Sequence, residues 1–344
     1  MKQRINFVDS LFSNEGHYID DVVKYSFLSN NYELHYFING NISFENRNKL
    51  SSFIIHESES NTSLLGLIKY MIRIQQDLLT DDFNFIMSIK YIPLFIYSFI
   101  SRKSNYFVLI HFFPTIKKRL NTFLLNYLLK KTNGFLVLDT FVKNDLEIYL
   151  GENEKIKTIH SRDIKLSSSI KSNDSLVKVS FIGAMNSHKD ILTLIEIIEE
   201  NKYPDIEFYF YSKGISRYFK NSNLKNKVTV KDEYFSNEDY KHYLKSSDFV
   251  YLAYKSDYGV RFSGILCDAL SNGCQLLCND NLSFEYYIDK YNVGYIFRNK
   301  EELNDILKNV RKLDLNEDIY DDYSREKREQ MFTNIVKEFY GVNK

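Results

Sequence analysis

The sequence predicts an α/β protein made of two doubly wound domains with parallel sheets. Three observations predict it. Short apolar runs alternate with helix-period patterns along nearly the whole chain, the order that gives a parallel sheet covered by helices on both faces. The length of 344 residues is enough for two domains of ordinary size, each with its own core. Lys165–Ser175, KLSSSIKSNDS, is polar and serine-rich and divides the alternation in two. The expected boundaries are a first domain over 1–165, a linker over 166–176, a second domain over 177–315 and a C-terminal helical segment over 316–344.

In the first half, Ile5–Asp9 reads as a strand and Ser13–Tyr18 as a loop. Val22, Val23, Tyr25 and Phe27 suggest a helix, and Leu34–Ile38 a second strand. Gly16 lets the backbone pass close to a ligand, and His17 would face the crevice above the sheet. Residues 41–61 are polar and mixed and show no element. Leu64–Leu79 is a helix and Phe83–Met87 a strand. Ile92–Ile100 is apolar but only about two helical turns long. Tyr106–Ile110 is a strand ending at His111. A histidine at the carboxyl end of a parallel strand points to the crevice where α/β proteins bind ligands. Ile116–Leu129 is an amphipathic helix. Gly134–Asp139, Thr140–Leu150 and Ile156–His160 complete the half as strand, helix and strand.

In the second half, Val177–Ile182 is a buried strand. It runs into Gly183-Ala184-Met185-Asn186-Ser187-His188-Lys189 and then a helix over Ile191–Glu200. Strand, glycine loop and helix with a lysine at the mouth is an anion site, because unpaired N–H groups and the positive end of the helix dipole point at the ligand. Strands Ile206–Tyr211 and Val228–Val230 and a helix over Glu238–Leu244 follow. Ser247–Asp280 repeats the pattern: strand Phe249–Tyr254, loop Lys255–Gly259, helix Phe262–Leu270, stop at Gly273, strand Cys274–Cys278. Ser263 and Gly264 fall at the first turn of that helix. Asp268 falls inside it, where a carboxylate could accept hydrogen bonds from a ligand's hydroxyls. A helix over Phe284–Tyr291, a strand over Val293–Phe297 and a helix over Glu301–Val310 come next. The last helix, Tyr323–Phe339, carries Met331, Ile335, Val336 and Phe339 on its apolar side.

Lys and Arg total 45, as do Asp and Glu, so the neutral chain gives no support to a nucleic-acid role. Against that neutrality, Asp81–Lys131 holds eight basic residues (Lys90, Arg102, Lys103, Lys117, Lys118, Arg119, Lys130, Lys131) and only Asp81 and Asp82 as acids. A basic amphipathic segment with aromatic neighbours suits an anionic membrane surface, and it equally suits a domain helix with solvated lysines. Cys267, Cys274 and Cys278 are odd in number and crowded, which fits buried thiols in a reducing cytoplasm better than disulfides or a metal site. His188 has no second metal ligand at suitable spacing. The N-terminal residues lack the apolar run of a signal peptide, and no apolar stretch is long enough to span a bilayer. These features predict a cytoplasmic protein that can sit on the inner face of the plasma membrane.

The frame Val260-Arg261-Phe262-Ser263, then Ile265–Cys267, then Asp268-Ala269-Leu270-Ser271-Asn272-Gly273-Cys274-Gln275, resembles the donor-site signature of GT-B glycosyltransferases of family 4, Glu-x-Phe-Gly-x-x-x-x-Glu-Ala-x-Ala-x-Gly-x-Pro. The loop from Gly183 to Lys189 keeps the spacing of the same family's Gly-Arg-x-x-x-x-Lys. Gly16-His17 and His111 resemble the first loop and the donor-facing histidine of these enzymes. The resemblance is specific over about residues 177 to 312 and only architectural over 1–165.

It implies two Rossmann-like domains facing a cleft, with the C-terminal helix crossing back to the N-domain. It implies a hexosyltransferase-type enzyme that takes a nucleotide diphosphate sugar as donor, with retention and without a metal or further cofactor. In this reading Gly183, Asn186, Lys189, Arg261, Ser263 and Gly264 hold the donor, and Asp268 its ribose. Gly16 and His17 form the acceptor-side loop, and His17 and His111 face the reacting centre. The acceptor would be a saccharide, lipid-linked in bacterial surface polysaccharide assembly such as lipopolysaccharide or O-antigen. The sequence departs from the family where Val260 replaces the first motif glutamate, Ala184 the arginine, and Asp190 the glycine after the lysine. Arg261 is the residue that could restore the missing charge. Three other readings stay open: a GT-B-shaped binding or assembly partner without catalysis, a GT-B sugar-nucleotide epimerase, and a membrane scaffold built on the basic segment.

Overall fold

The computed structural model describes residues 2–11, 15–78, 81–88, 91–100, 105–110, 118–160, 162–165, 176–220, 228–256 and 259–341. The chain divides into two compact units, residues 1–161 with 328–344 and residues 162–327. The linker expected over 166–176 lies, but for Leu176, outside the described residues.

The first unit holds a seven-stranded sheet in the order β3-β2-β1-β4-β5-β6-β7. Its strands are β1 (Gln3–Asp9), β2 (Tyr32–Ile38), β3 (Phe53–Glu57), β4 (Phe83–Ser88), β5 (Phe107–Ile110), β6 (Gly134–Val137) and β7 (Ile156–Thr158). The second unit holds a six-stranded sheet in the order β10-β9-β8-β11-β12-β13. Here the strands are β8 (Val177–Ile182), β9 (Ile206–Tyr211), β10 (Val228–Lys231), β11 (Phe249–Leu252), β12 (Gln275–Asn279) and β13 (Gly294–Phe297). All described ladders are parallel, such as Ile5↔Leu34 in the first sheet and Val179↔Phe208 in the second. Both orders place the first strand of the unit beside the fourth, which is the doubly wound arrangement with its switch point between them.

Central strands are covered on both faces, so even their polar residues are buried, as Asn6 and Asp9 are in β1. In β1 every residue from Ile5 to Asp9 is buried, and in β11 all of Phe249–Leu252. In the second unit Phe181, Phe208, Phe210, Tyr251 and Leu277 meet Leu194, Ile198, Leu303 and Leu307 of the covering helices Leu192–Glu200 and Lys300–Asn309. Caps set the helix starts. Ser236 accepts from Asp239 N at 3.0 Å, and Asn299 accepts from Glu302 N at 2.8 Å while Glu302 reaches back to Arg298 N. Cys267, Cys274 and Cys278 are all free and buried, and burial pushes the Cys274 thiol up to about 12.

Three expectations need correction. The featureless 41–61 contains a helix, Phe44–Lys49, and the edge strand β3. That helix buries none of its residues, and β3 leaves Ile54 48% exposed, so neither carries a strong apolar pattern. Gly16 and His17 belong to the first turn of a helix, Glu15–Val23, rather than to a loop. The stretch Ser13–Tyr18 reads like a loop because it is polar and carries no apolar residues at helical spacing. The helix expected over Tyr323–Phe339 is two, Asp318–Asp322 and Arg325–Tyr340, broken at Tyr323 and Ser324.

The buried face of Arg325–Tyr340 is Arg328, Phe332, Ile335 and Val336. Phe332 sits among Tyr25 (4.4 Å between ring centroids), Phe83 and Phe85 (5.7 Å each) and Phe7 (6.3 Å). The Tyr340 hydroxyl accepts from Phe83 N and donates to Arg4 O. Truncating a buried ring at such a contact costs about 3–5 kcal/mol. Phe332→Ala is therefore expected to lower hydrogen-exchange protection across β1 and β4 and to leave β8, β11 and β12 as they were. Equal loss in both sheets would contradict this account.

Candidate functional site

The site is built in the second unit, at the carboxyl ends of β8 and β11, which flank the switch point of its sheet. Two loops meet there, one following β8 and one following β11. Lys189 and Tyr254 form an antiparallel bridge between them. Asp190 N donates to Ala253 O at 2.9 Å and Lys255 N to His188 O at 2.7 Å. Asn279, at the end of β12, clasps the backbone of Tyr254 from both sides, accepting from its N–H at 2.9 Å and donating to its carbonyl at 2.8 Å.

Gly183 leaves β8 with φ +97°, a conformation that side chains with a Cβ rarely adopt. A Cβ there would lie 2.8 Å from Ile265 Cδ1 and 3.7 Å from Lys189 Nζ. The first loop is thus pressed against the start of the helix Gly264–Ser271 that follows the second. Asn186 shapes the loop: its Oδ1 accepts from His188 N at 3.0 Å and Lys189 N at 3.2 Å. Asp190 accepts from the Thr193 N–H and hydroxyl and so opens the helix Leu192–Glu200.

Lys189 is 5% exposed, and its Nζ has no hydrogen-bond partner. The ammonium lies 4.9 Å from the centre of the Phe181 ring, a cation–π contact that offsets only part of its lost hydration. Burial lowers its pKa from 10.5 to about 8.

At the other loop, Arg261 N donates to Ser283 Oγ at 3.1 Å, and Asn281 Nδ2 to Gly259 O at 3.2 Å. Val260 is buried. Ser263 is the buried residue that precedes the helix, and its side chain caps nothing, so no side chain of this residue competes for the helix's first N–H groups. Asp268, on the same helix, is held from two sides. Arg162 donates to its Oδ1 at 2.9 Å and the Tyr240 hydroxyl to its Oδ2 at 3.1 Å. The pKa of Tyr240 is raised by burial first and by the Asp268 charge second. The Arg162 guanidinium also lies on Gly264, with Cζ, Nη2 and Nη1 at 3.1, 3.2 and 3.3 Å from where a Cβ would be.

The structure therefore brings Gly183, Lys189 and the Gly264–Ser271 helix together, with Asp268 further along that helix. His111 lies outside the described residues, and His17 is placed on its helix without a described side chain. Sequence reasoning missed Arg162 and Tyr240. Arg162 stands at the start of the second unit with no motif around it, and the partner that gives it meaning is more than a hundred residues away.

A scan against protein-family models finds no match for this chain, and a search of curated proteins finds none. Solved structures do match. The apo form of the lipopolysaccharide outer core galactosyltransferase WaaB aligns with a TM-score of 0.70 at 13% identity, covering 98% of this chain and 99% of that one. A glycosyltransferase from Rickettsia africae ESF-5 aligns at 0.68 and 15% identity over 98% of both chains. HepE of Anabaena, in complex with UDP-glucose, aligns at 0.64 and 13% identity over 99% of both. At these identities the likeness is one of fold, and the fold is that of the GT-B glycosyltransferases: two α/β domains, each on a parallel sheet.

The buried lysine makes stability depend on pH. Below about pH 8 the amine is protonated folded and unfolded, and the cost of burying its charge is present in full. Between about 8 and 10.5 the unfolded chain binds more protons, so stability rises with pH. A shift of this size corresponds to roughly 3 kcal/mol. Lys189→Met, similar in shape and uncharged, is expected to raise the Tm of the free protein at neutral pH and to flatten the rise from pH 8 to 10. A variant that melts no higher than wild type at pH 7 would rule this out.

Proposed function

We propose that this chain is a glycosyltransferase that takes a nucleotide diphosphate sugar as donor and binds it on its second unit. The observation that carries the reading is Lys189: an ammonium group, nearly buried and without a hydrogen-bond partner, beside the start of a helix at the switch point of a parallel sheet. Such a group lacks an anion. A diphosphate fits, since the loops around Gly183 and Ser263-Gly264 let a backbone come close and leave N–H groups to meet its oxygens.

In the reaction, the bond from the anomeric carbon to the diphosphate breaks, the diphosphate leaves with the bonding pair, and the acceptor hydroxyl forms the new bond and loses its proton. Negative charge grows on the leaving oxygen. Lys189, Arg261 and the helix N–H groups are the parts that would stabilise it, without a metal. The carboxylate of Asp268 has lone pairs beyond those used by Arg162 and Tyr240 and would take ribose hydroxyls. His17 and His111 remain the candidates for the reacting centre on sequence grounds. Retention at the anomeric carbon belongs to this reading through the motif resemblance.

A solved neighbour supports the donor class: HepE is seen with UDP-glucose. WaaB acts on the lipopolysaccharide outer core, which supports a saccharide acceptor on a surface glycolipid. A second reading, a GT-B-shaped binding partner without transfer activity, is favoured by Val260, a buried apolar residue where the motif keeps a glutamate. Thermal melts against UDP, GDP, ADP and dTDP and their sugars separate the readings. One base is expected to raise the Tm by mass action, with or without chelator, and to lose the effect in Lys189→Met. No shift with any member of the panel would count against a donor site, and binding without sugar transfer would favour the second reading.

The reading includes an anionic membrane surface for residues 90–131. No helix among the described residues is long and apolar enough to cross a membrane. The helices Tyr91–Ile100 and Lys118–Lys131 pack on each other through Phe95 and Tyr127, 4.9 Å between centroids. They leave Phe99 74% and Phe123 61% exposed, on a segment rich in lysine and arginine. Exposed rings with cations suit insertion among anionic headgroups. Co-sedimentation with phosphatidylcholine vesicles is expected to need added phosphatidylglycerol and to fall several-fold in a Phe99→Ser, Phe123→Ser double variant. Unchanged sedimentation of that variant would remove the membrane from the reading.

A further inference from the structure

We propose that Arg162 is a ligand of the donor diphosphate, a further cation of the site besides Lys189 and Arg261, held by Asp268 until the donor arrives. The assignment rests on the donor-site reading and adds to it a residue that no motif marks.

The argument starts from a charge in an unfavourable place. The first turn of a helix carries partial positive charge, which favours an anion and disfavours a cation. The Arg162 guanidinium nevertheless lies on that turn, with three of its atoms within 3.1–3.3 Å of the Cβ position at Gly264. A Cβ there would force the guanidinium back by a few tenths of an ångström. On the same turn, Ile265 packs against the Gly183 position that Lys189 Nζ approaches to 3.7 Å. Two cations and the positive end of a helix thus converge, and Lys189 has no hydrogen-bond partner at 5% exposure. Asp268 answers this charge through Arg162, at 2.9 Å.

Asp268 also accepts from Tyr240, so it keeps a partner if Arg162 leaves. The pair is about one-third exposed on each side, so a ligand can reach it. An exposed pair of this kind is worth little, and exchanging carboxylate for diphosphate at the guanidinium is easy. A diphosphate has the parallel oxygens that the arginine fork grips two at a time. Ala184, exposed on the first loop, shows that the loop itself supplies no second cation at that position. The geometry places one beside the helix from the other direction in the chain.

The test is isothermal titration of the full chain with UDP, GDP, inorganic pyrophosphate, uridine and guanosine, using wild type, Arg162→Gln, Arg162→Lys and Arg261→Ala. Arg162→Gln is expected to weaken the nucleoside diphosphate that binds, and pyrophosphate, between about tenfold and a hundredfold, the worth of a hydrogen bond to a charged group. Binding of the matching nucleoside is expected to change by less than about twofold, and Arg162→Lys to recover part of the loss. Unchanged diphosphate affinity in Arg162→Gln overturns the assignment and leaves the donor site intact. An equal loss for nucleoside and diphosphate overturns it too, since Arg162 would then only shape the site. If Arg162→Gln does not fold, Arg162→Lys decides: it keeps the charge and loses the fork, and undiminished affinity overturns the assignment. Wild type that binds none of the five probes overturns both this and the donor-site reading.

Discussion

Lys189 sets the terms for the second unit. An ammonium group is costly to bury, and the only described group that answers its charge is a ring 4.9 Å away. The fold tolerates it because the loop that carries it is fixed on every side. Asn186 turns the backbone, Asp190 opens the next helix, and the bridge to Tyr254 ties it to the loop after β11. Those contacts hold the charge at a place where the sheet order leaves an opening and a helix begins. Stability is given up at this point and recovered by the apolar rows of Phe181, Phe208, Phe210 and Tyr251 beneath it.

The first unit is organised differently. Its sheet has the same strand order with one more strand at the far edge, and its packing turns on aromatic rings. Phe332 arrives from the end of the chain and fills a space between Phe7, Tyr25, Phe83 and Phe85. Lys157 and Glu338 add an ion pair between β7 and the same helix, at the surface, where its contribution is small. A chain with 27 tyrosines and 27 phenylalanines and no tryptophan uses ring pairs of this kind in both units, so core positions are large and single truncations costly.

What could be read in advance follows the length over which a pattern persists. Thr140–Leu150, Val177–Ile182 and Ile206–Tyr211 were clear because continuous apolar runs or helical periodicity end at clean stops, such as Gly151 at φ +78°. β3 was not clear, because an edge strand is buried on one side only and five residues are too few to show alternation. The first turn at Gly16-His17 was not clear because helix starts are polar. At the candidate site, Gly183 and Lys189 stood out through their spacing, and Asp268 through its place in a helix. Arg162 had neither, and in the sequence it is an ordinary arginine before a serine-rich stretch.

The sequence by itself determined the alternation of strands and helices, hence two doubly wound domains, since periodicity and glycine stops are local properties of the chain. It also determined which loops follow the first and fourth strands of the second unit. Tertiary structure alone decided that Lys189 is buried without a hydrogen-bond partner, that Phe332 closes the first core, and that Arg162 lies on Gly264 and pairs with Asp268. The reason is that burial and charge pairing depend on contacts between residues far apart in the chain, and no local pattern records which distant side chain will fill a given space.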